Sequence, residues 1–265
     1  MTETQDLTSD RVPEAERSGT YRRLRVFNVV VGAILGLEAA AMLALSNGLS
    51  LPVYALYLRN DPVEVFRAVR PEEVFRLAIG PAVALFLLLA AIDHLLVAAP
   101  RVHRWYERGL ENRANYARWI EYAISASIMI VLISLFTGIR DIAALLAIFG
   151  VNTAMILFGL LMERQQKPGA TDWSAFWFGS LVGAVPWIAI SIYLLTGPGN
   201  PPGFVYAITI IELILFFSFA LNMVLQYRQV GRWRDYVAGE TTYILLSLTA
   251  KSLLAWLIFA NVLRT

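Results

Sequence analysis

The sequence predicts an all-α membrane protein, a bundle of seven transmembrane helices. Three observations carry that prediction. Of 265 residues, 58% are hydrophobic and only 16% are charged, a balance foreign to soluble domains. Apolar runs long enough to cross a bilayer core of about 30 Å recur seven times. The segments between them are short and carry turn chemistry: "AAPRVHR", "TGIRD", "RQQKPGATD", "TGPGNPPG" and "RQVGRWRD".

In chain order, the spans fall near 26–47, 77–99, 116–138, 141–162, 173–196, 204–227 and 240–262. They define a domain over residues 25–263, preceded by a polar tail, 1–24. That tail holds no signal-peptide apolar core with a cleavage site, so the first run is expected to remain in the mature protein. The one long connection is 48–76. Alternation around Val53, Ala55 and Tyr57, followed by "RNDP", predicts a short β-hairpin there.

Positive charge sets the orientation. Arg11, Arg17, Arg22, Arg23 and Arg25 precede the first span, and Arg101, Arg104, Arg108, Arg113, Arg118, Arg164, Lys167, Arg228, Arg232 and Arg234 lie on the same side, 15 in all. The other side has Arg59, Arg67, Arg70, Arg76, Arg140 and Arg264, which is 6. The N-terminus is therefore expected in the cytoplasm and the C-terminus outside, with loop 48–76 extracellular. The expected location is the cell membrane, as a multi-pass protein.

The remaining cation, Lys251, lies near the middle of the seventh span, in "SLTAKSLLAWLIF". Thr241 to Val262 is 22 residues, about 33 Å of helix at ~1.5 Å per residue. A lysine at that depth costs roughly 2.5–3.5 kcal/mol on insertion scales. Mid-span depth removes the easy snorkelling route, so a buried anion or a chemical modification must compensate. Candidate anions within spans are Glu38, Asp93, Glu121 and Glu212, with Glu163 and Glu240 near helix ends. Lys251 leans toward its helix N-terminus, hence toward the cytoplasm, where Glu121 of the third span lies. Arg118, three residues before Glu121, sits on the same face and is expected to hold that carboxylate ionised. A lysine amine so placed suits a Schiff base with an aldehyde cofactor.

Seven spans, the lysine of "SLTAKSLLAW" and the Arg-x-x-Glu of "RWIEY" resemble the rhodopsins that use retinal, and the inverted charge bias narrows this to the heliorhodopsins. "ALLAIFGVNTAMILFG", "FWFGSLVGAVPWI", "PGFVY" and "QYRQVGRWRDYVAGE" extend the likeness over about residues 22–263. The resemblance implies a rhodopsin-like bundle, all-trans retinal on Lys251 as a protonated Schiff base, and Glu121 as sole counterion. Ser247 stands where ion-pumping relatives carry a second carboxylate. Ser247 and Ser125 are expected near the Schiff base. Tyr122, Asn152, Met155, Ile156, Trp187, Phe216 and Trp256 match the family's pocket walls. His94, Glu38, Arg118 and Glu121 are expected to form a polar cluster on the cytoplasmic side of the lysine. This chain departs from some relatives in carrying Leu35 for a histidine and Glu38 for a glutamine. A homodimer is implied by the resemblance alone.

Other chemistries find little support. The chain has no cysteine, so disulfides and thiolate metal sites are excluded. Two histidines without clustered carboxylates make no metal site, and His103 reads as a solvated loop residue. There is no P-loop, GxGxxG or nucleophilic-triad signature, so neither an enzyme nor a nucleic-acid binder is expected. Trp105, Trp173, Tyr193, Tyr206 and Trp233, near span ends, read as interfacial belts. The leading function is a light-sensing photoreceptor with a slow photocycle and a possible signalling partner at its basic cytoplasmic face. The rival is a light-driven proton or ion transporter, and a third reading is a light-independent scaffold or retinal store. Against transport, the outer halves "SIMIVLISLF" and "LLAWLIFANVL" offer no ionisable stations; only Glu212 interrupts that hydrocarbon.

Overall fold

The computed structural model describes residues 14–57 and 70–264. The helices are α1 (Glu14–Leu45), α2 (Ile79–Ala98), α3 (Pro100–Glu111), α4 (Tyr116–Thr137), α5 (Ile142–Gln165), α6 (Ser174–Thr196), α7 (Gly203–Tyr227) and α8 (Tyr236–Ile258). All but α3 are long and apolar enough to cross a membrane, giving seven such helices among the described residues. They coincide with the seven expected spans to within a few residues at each end, except that α1 extends well N-terminal of its apolar run.

Local chemistry places the ends. Asn115, Asp141 and Asp235 cap α4, α5 and α8, each side chain accepting a backbone N–H from the first turn. Gly138 closes α4 at φ 102°, a conformation suited to glycine. Pro186 lies inside α6, where it removes one backbone donor. Around the bundle, α1 packs on α2, α2 on α4, α4 on α5, α5 on α6 and α7 on α8, while α8 returns to α1 and α2.

Beyond α1, β1 (Ser50–Ala55) pairs antiparallel with β2 (Glu72–Ala78), with a register shift between Val53 and Tyr54. The expected pairing is therefore present, but Tyr57 falls beyond β1, and the "RNDP" turn lies outside the described residues. This side is stitched together by backbone contacts. Asn47 N–H donates to Leu263 O at 2.8 Å, and Tyr54 N–H to Arg140 O at 2.9 Å.

One element corrects the sequence reading. The segment taken as the loop "AAPRVHR" enters α3, a 12-residue helix. Ala99 is extended because it precedes Pro100, which breaks α2 and then starts α3 at its first position. His103, Tyr106 and Leu110 are buried. His103 is thus no solvated loop residue: its ring Nδ1 lies 3.1 Å from Val97 O and its Nε2 3.2 Å from Glu107. The turn into α4 is tight enough that a Cβ on Gly109 would sit 2.7 Å from Ala114 O.

Candidate functional site

Lys251 is buried, with 3% of its surface exposed. Its ammonium donates to Ser247 Oγ at 2.8 Å and lies 3.4 Å from both oxygens of Glu121. Nζ also stands 4.8 Å from the centre of the Tyr122 ring, within cation–π range. The geometry follows from helical period. Ser247 is four residues before Lys251 and shares its face, while Glu121 and Tyr122 come from α4. The lysine thus meets one carboxylate, one hydroxyl and one ring.

That amine opens onto a cavity of about 620 Å³, within the roughly 300–1,000 Å³ usual for small-molecule sites. Tyr122, Met155, Ile156, Trp187, Phe216, Ser247 and Lys251 all line it, as expected. Trp119, Phe219 and Tyr243 line it too, and were not anticipated. Glycine makes room for the wall: a Cβ on Gly183 would clash with the Met155 side chain, and one on Gly179 would lie 3.0 Å from Phe158 Cβ. Trp187 and Phe216 meet edge to face, with ring centres 5.3 Å apart. An apolar slot ending at a primary amine beside a carboxylate is a donor set that fits a long apolar aldehyde such as retinal.

Two expected wall residues, Asn152 and Trp256, are not among those lining the cavity, and neither is Ser125, expected near the Schiff base. Asn152 is buried but donates to Ser127 Oγ at 3.0 Å, in an α4–α5 knot with Thr153. Ser125 is fully buried, and its hydroxyl has no hydrogen-bond partner among the described residues. Trp256 is 40% exposed and donates its indole N–H to Glu38 at 3.0 Å. Five residues beyond Lys251, it is turned about 140° round the helix and points away from the amine.

The expected polar cluster divides into three. Glu38 accepts from Ser252 Oγ at 2.8 Å and from Trp256, joining α1 to the far face of α8. It lies in the second half of α1, away from Arg118. His94 is buried, and its Nδ1 lies 2.7 Å from Asn28 Oδ1. The Tyr106 hydroxyl of α3 lies in polar reach of the same Asn28 side chain. Burial pushes the Tyr106 hydroxyl well above the usual tyrosine range, so it remains a neutral phenol.

Arg118 does not brace Glu121. It pairs with Glu163 at 2.7 Å and with Glu240. Its guanidinium stacks 4.0 Å from the Tyr243 ring centre and 4.7 Å from that of Trp119. Trp119 Nε1 and the Asn115 N–H donate to Glu163 at 2.5 and 2.9 Å, and Tyr236 O–H at 2.7 Å. Asn115 Nδ2 donates to Glu240 at 2.6 Å. Sequence reasoning noted Glu163 and Glu240 only as anions near helix ends. The available signal was that Arg118 too lies at a span end, on the same side of the membrane as both.

The heliorhodopsin family profile matches residues 24–263. Among solved structures, the chain resembles cyanorhodopsin from the cyanobacterium Tolypothrix sp. NIES-4075, with a TM-score of 0.53 at 13% identity, covering 95% of this chain and 96% of that one. At that identity the likeness shows the fold alone. No curated protein matches. The chain belongs to the heliorhodopsin family, and is thereby a multi-pass membrane protein that binds retinal and responds to light.

Proposed function

We propose that the protein is a signalling photoreceptor and not a pump. All-trans retinal is held on Lys251 as a protonated Schiff base with Glu121 as its only counterion. The observation that carries this reading is the pair itself: Lys251 and Glu121, 3.4 Å apart, at the head of a long apolar cavity. When bound, retinal supplies a light-driven isomerisation. The remaining work belongs to the protein. Glu121 balances one positive charge, and Ser247, 2.8 Å from Nζ, orients the nitrogen from its own helix. Trp187 and Phe216 brace the slot, so a change of ligand shape presses on α6 and α7.

The orientation inferred from charge, N-terminus in the cytoplasm and C-terminus outside, goes with this reading. So does a cytoplasmic tail over 1–24 ahead of a retinal-binding domain over 25–263. The homodimer stays an inference from the family.

Transport is the second reading, and Glu212 favours it. This carboxyl of α7 is fully buried, and neither oxygen has a hydrogen-bond partner among the described residues. A pump needs polar stations on both sides of the lysine. Toward the chain's C-terminal side, however, the buried side chains are mostly apolar, among them Ile130, Ile133, Leu135, Leu254 and Ile258, and the hydroxyls of Ser134, Thr137 and Thr209 are spent on backbone carbonyls of their own helices. Glu212 set in hydrocarbon, with Glu38 tied to Ser252 and Trp256, is not a pathway. Flash photolysis combined with a light-driven pH assay on cells separates the readings. A slow photoproduct without pH change is expected; a sustained light-driven pH change would establish transport, and no photoproduct would leave a light-independent protein.

A further inference from the structure

The helix that the sequence hid, α3, has two faces of different character. Its inner face is docked: Tyr106 and Leu110 join the main core, and His103 reaches the carbonyl of Val97. Its outer face exposes Arg101, Arg104, Trp105 and Arg108. The spacing i, i+3, i+4, i+7 makes these one stripe, directly opposite the docked residues at 100° per residue. Three guanidiniums around one tryptophan, itself 46% exposed, are the residue types that dominate binding hot spots.

We propose that this stripe is the output surface of the photoreceptor and takes an acidic patch on a soluble protein. Charge complementarity selects the partner's sign. The missing apolar face selects its class. An amphipathic helix that lies in lipid needs a hydrophobic face to insert, and here that face is consumed by the bundle. The inference rests on the photoreceptor reading above, and α2 links the stripe to the lysine site. His103 of α3 reaches Val97 O at the end of α2, His94 of α2 meets Asn28 at 2.7 Å with Tyr106 in polar reach of the same side chain, and α2 packs on α8, which carries Lys251. Arg25 adds a second tie, donating to Ala98 O at 2.7 Å beside the α2–α3 joint.

The absence of cysteine makes the test direct. Retinal-loaded Arg108→Cys protein, spin-labelled in zwitterionic nanodiscs, is expected to change label mobility on illumination. Tyr106→Phe and Asn28→Leu should each suppress that change while leaving the visible pigment in place. Fluorescent poly-L-glutamate serves as the acidic probe. Its affinity should fall about tenfold in the Arg101→Gln/Arg104→Gln/Arg108→Gln protein and less in Trp105→Ala. The control triple Arg228→Gln/Arg232→Gln/Arg234→Gln should lose little. A pigment that completes its photocycle while the label stays still, or a stripe triple that binds the probe like the parent, overturns the inference and spares the photoreceptor reading. Loss of binding to phosphatidylserine vesicles with poly-glutamate binding intact makes the stripe a lipid site and overturns it as well. Absence of any light-responsive pigment overturns the photoreceptor reading itself.

Discussion

Two buried ion pairs join α4 to α8, and they are built in opposite ways. Around Arg118, Glu163 and Glu240, donors come from Asn115, Trp119 and Tyr236, and two aromatic rings flank the cation. Around Lys251, Glu121 receives its only hydrogen bond among the described residues from the lysine at 3.4 Å, and one of its oxygens accepts none there. Buried pairs repay their desolvation only when the remaining valences are satisfied. The first cluster comes close to that condition, with both carboxylates multiply bonded and the Arg118 Nε left without a partner among the described residues, and it locks the bundle end. The second falls short and is held in place by its surroundings. A site that must respond when its ligand changes shape gains from being the weaker of the two, and its neighbour supplies the fixed frame.

The largest effect that would break this contrast is loss of colour. Lys251→Ala should abolish the visible pigment and leave a membrane-inserted protein, because the change makes α8 more apolar. A borohydride-reducible retinal adduct persisting in that variant would move the attachment elsewhere. Next comes stability. Arg118→Ala leaves Glu163 and Glu240 as buried carboxylates without their cation, a loss of about 3–5 kcal/mol. Thermal unfolding of the retinal-free protein should show it, with Glu121→Gln costing far less in the same assay. Equal losses would erase the distinction between the two clusters.

Colour then sharpens it. In Glu121→Gln the cation beside Ser247 loses the carboxylate proposed as its counterion. Removing an anion disfavours the charged form, so the visible band should vanish at a lower pH than in the parent. Below that pH the band should lie to the red, with chloride partly restoring the original position. Topology gives a separate check: a reporter after Thr265 should be accessible from outside cells and one before Met1 should not. The smallest expected effect is that of Glu212→Gln, which should leave the spectrum nearly unchanged. If it moves the titration as far as Glu121→Gln does, Glu121 is not the only counterion.

Much of the molecule was legible without coordinates. Hydropathy is a local property, so seven spans and the depth of Lys251 could be read directly. The same holds for Ser247, four residues from the lysine on one face, and for Glu121, which lies on the side toward which the lysine leans. The misreadings share one cause. Arg118 and Glu121 are three residues apart, which suggested mutual support, yet helix packing turned the guanidinium toward Glu163 and Glu240. Trp256 matched a pocket pattern, but its azimuth on α8 faces away from the amine. In "PRVHRWYERGLE" the arginines and the proline looked like loop chemistry, while only docking of Tyr106 and Leu110 makes the segment a helix with a buried side.

By itself, the sequence determined the class of the protein, the number of its crossings and the one cation that needs an explanation. Length, apolarity and helical period act within a single segment, and lipid enforces them. Tertiary structure alone decided the company each polar group keeps: Asn28 with His94, Glu38 with Ser252, Arg118 with two glutamates from other helices. Those choices depend on rotation and contact between segments more than a hundred residues apart in some cases, as with Arg118 and Glu240, and no local pattern encodes such a distance.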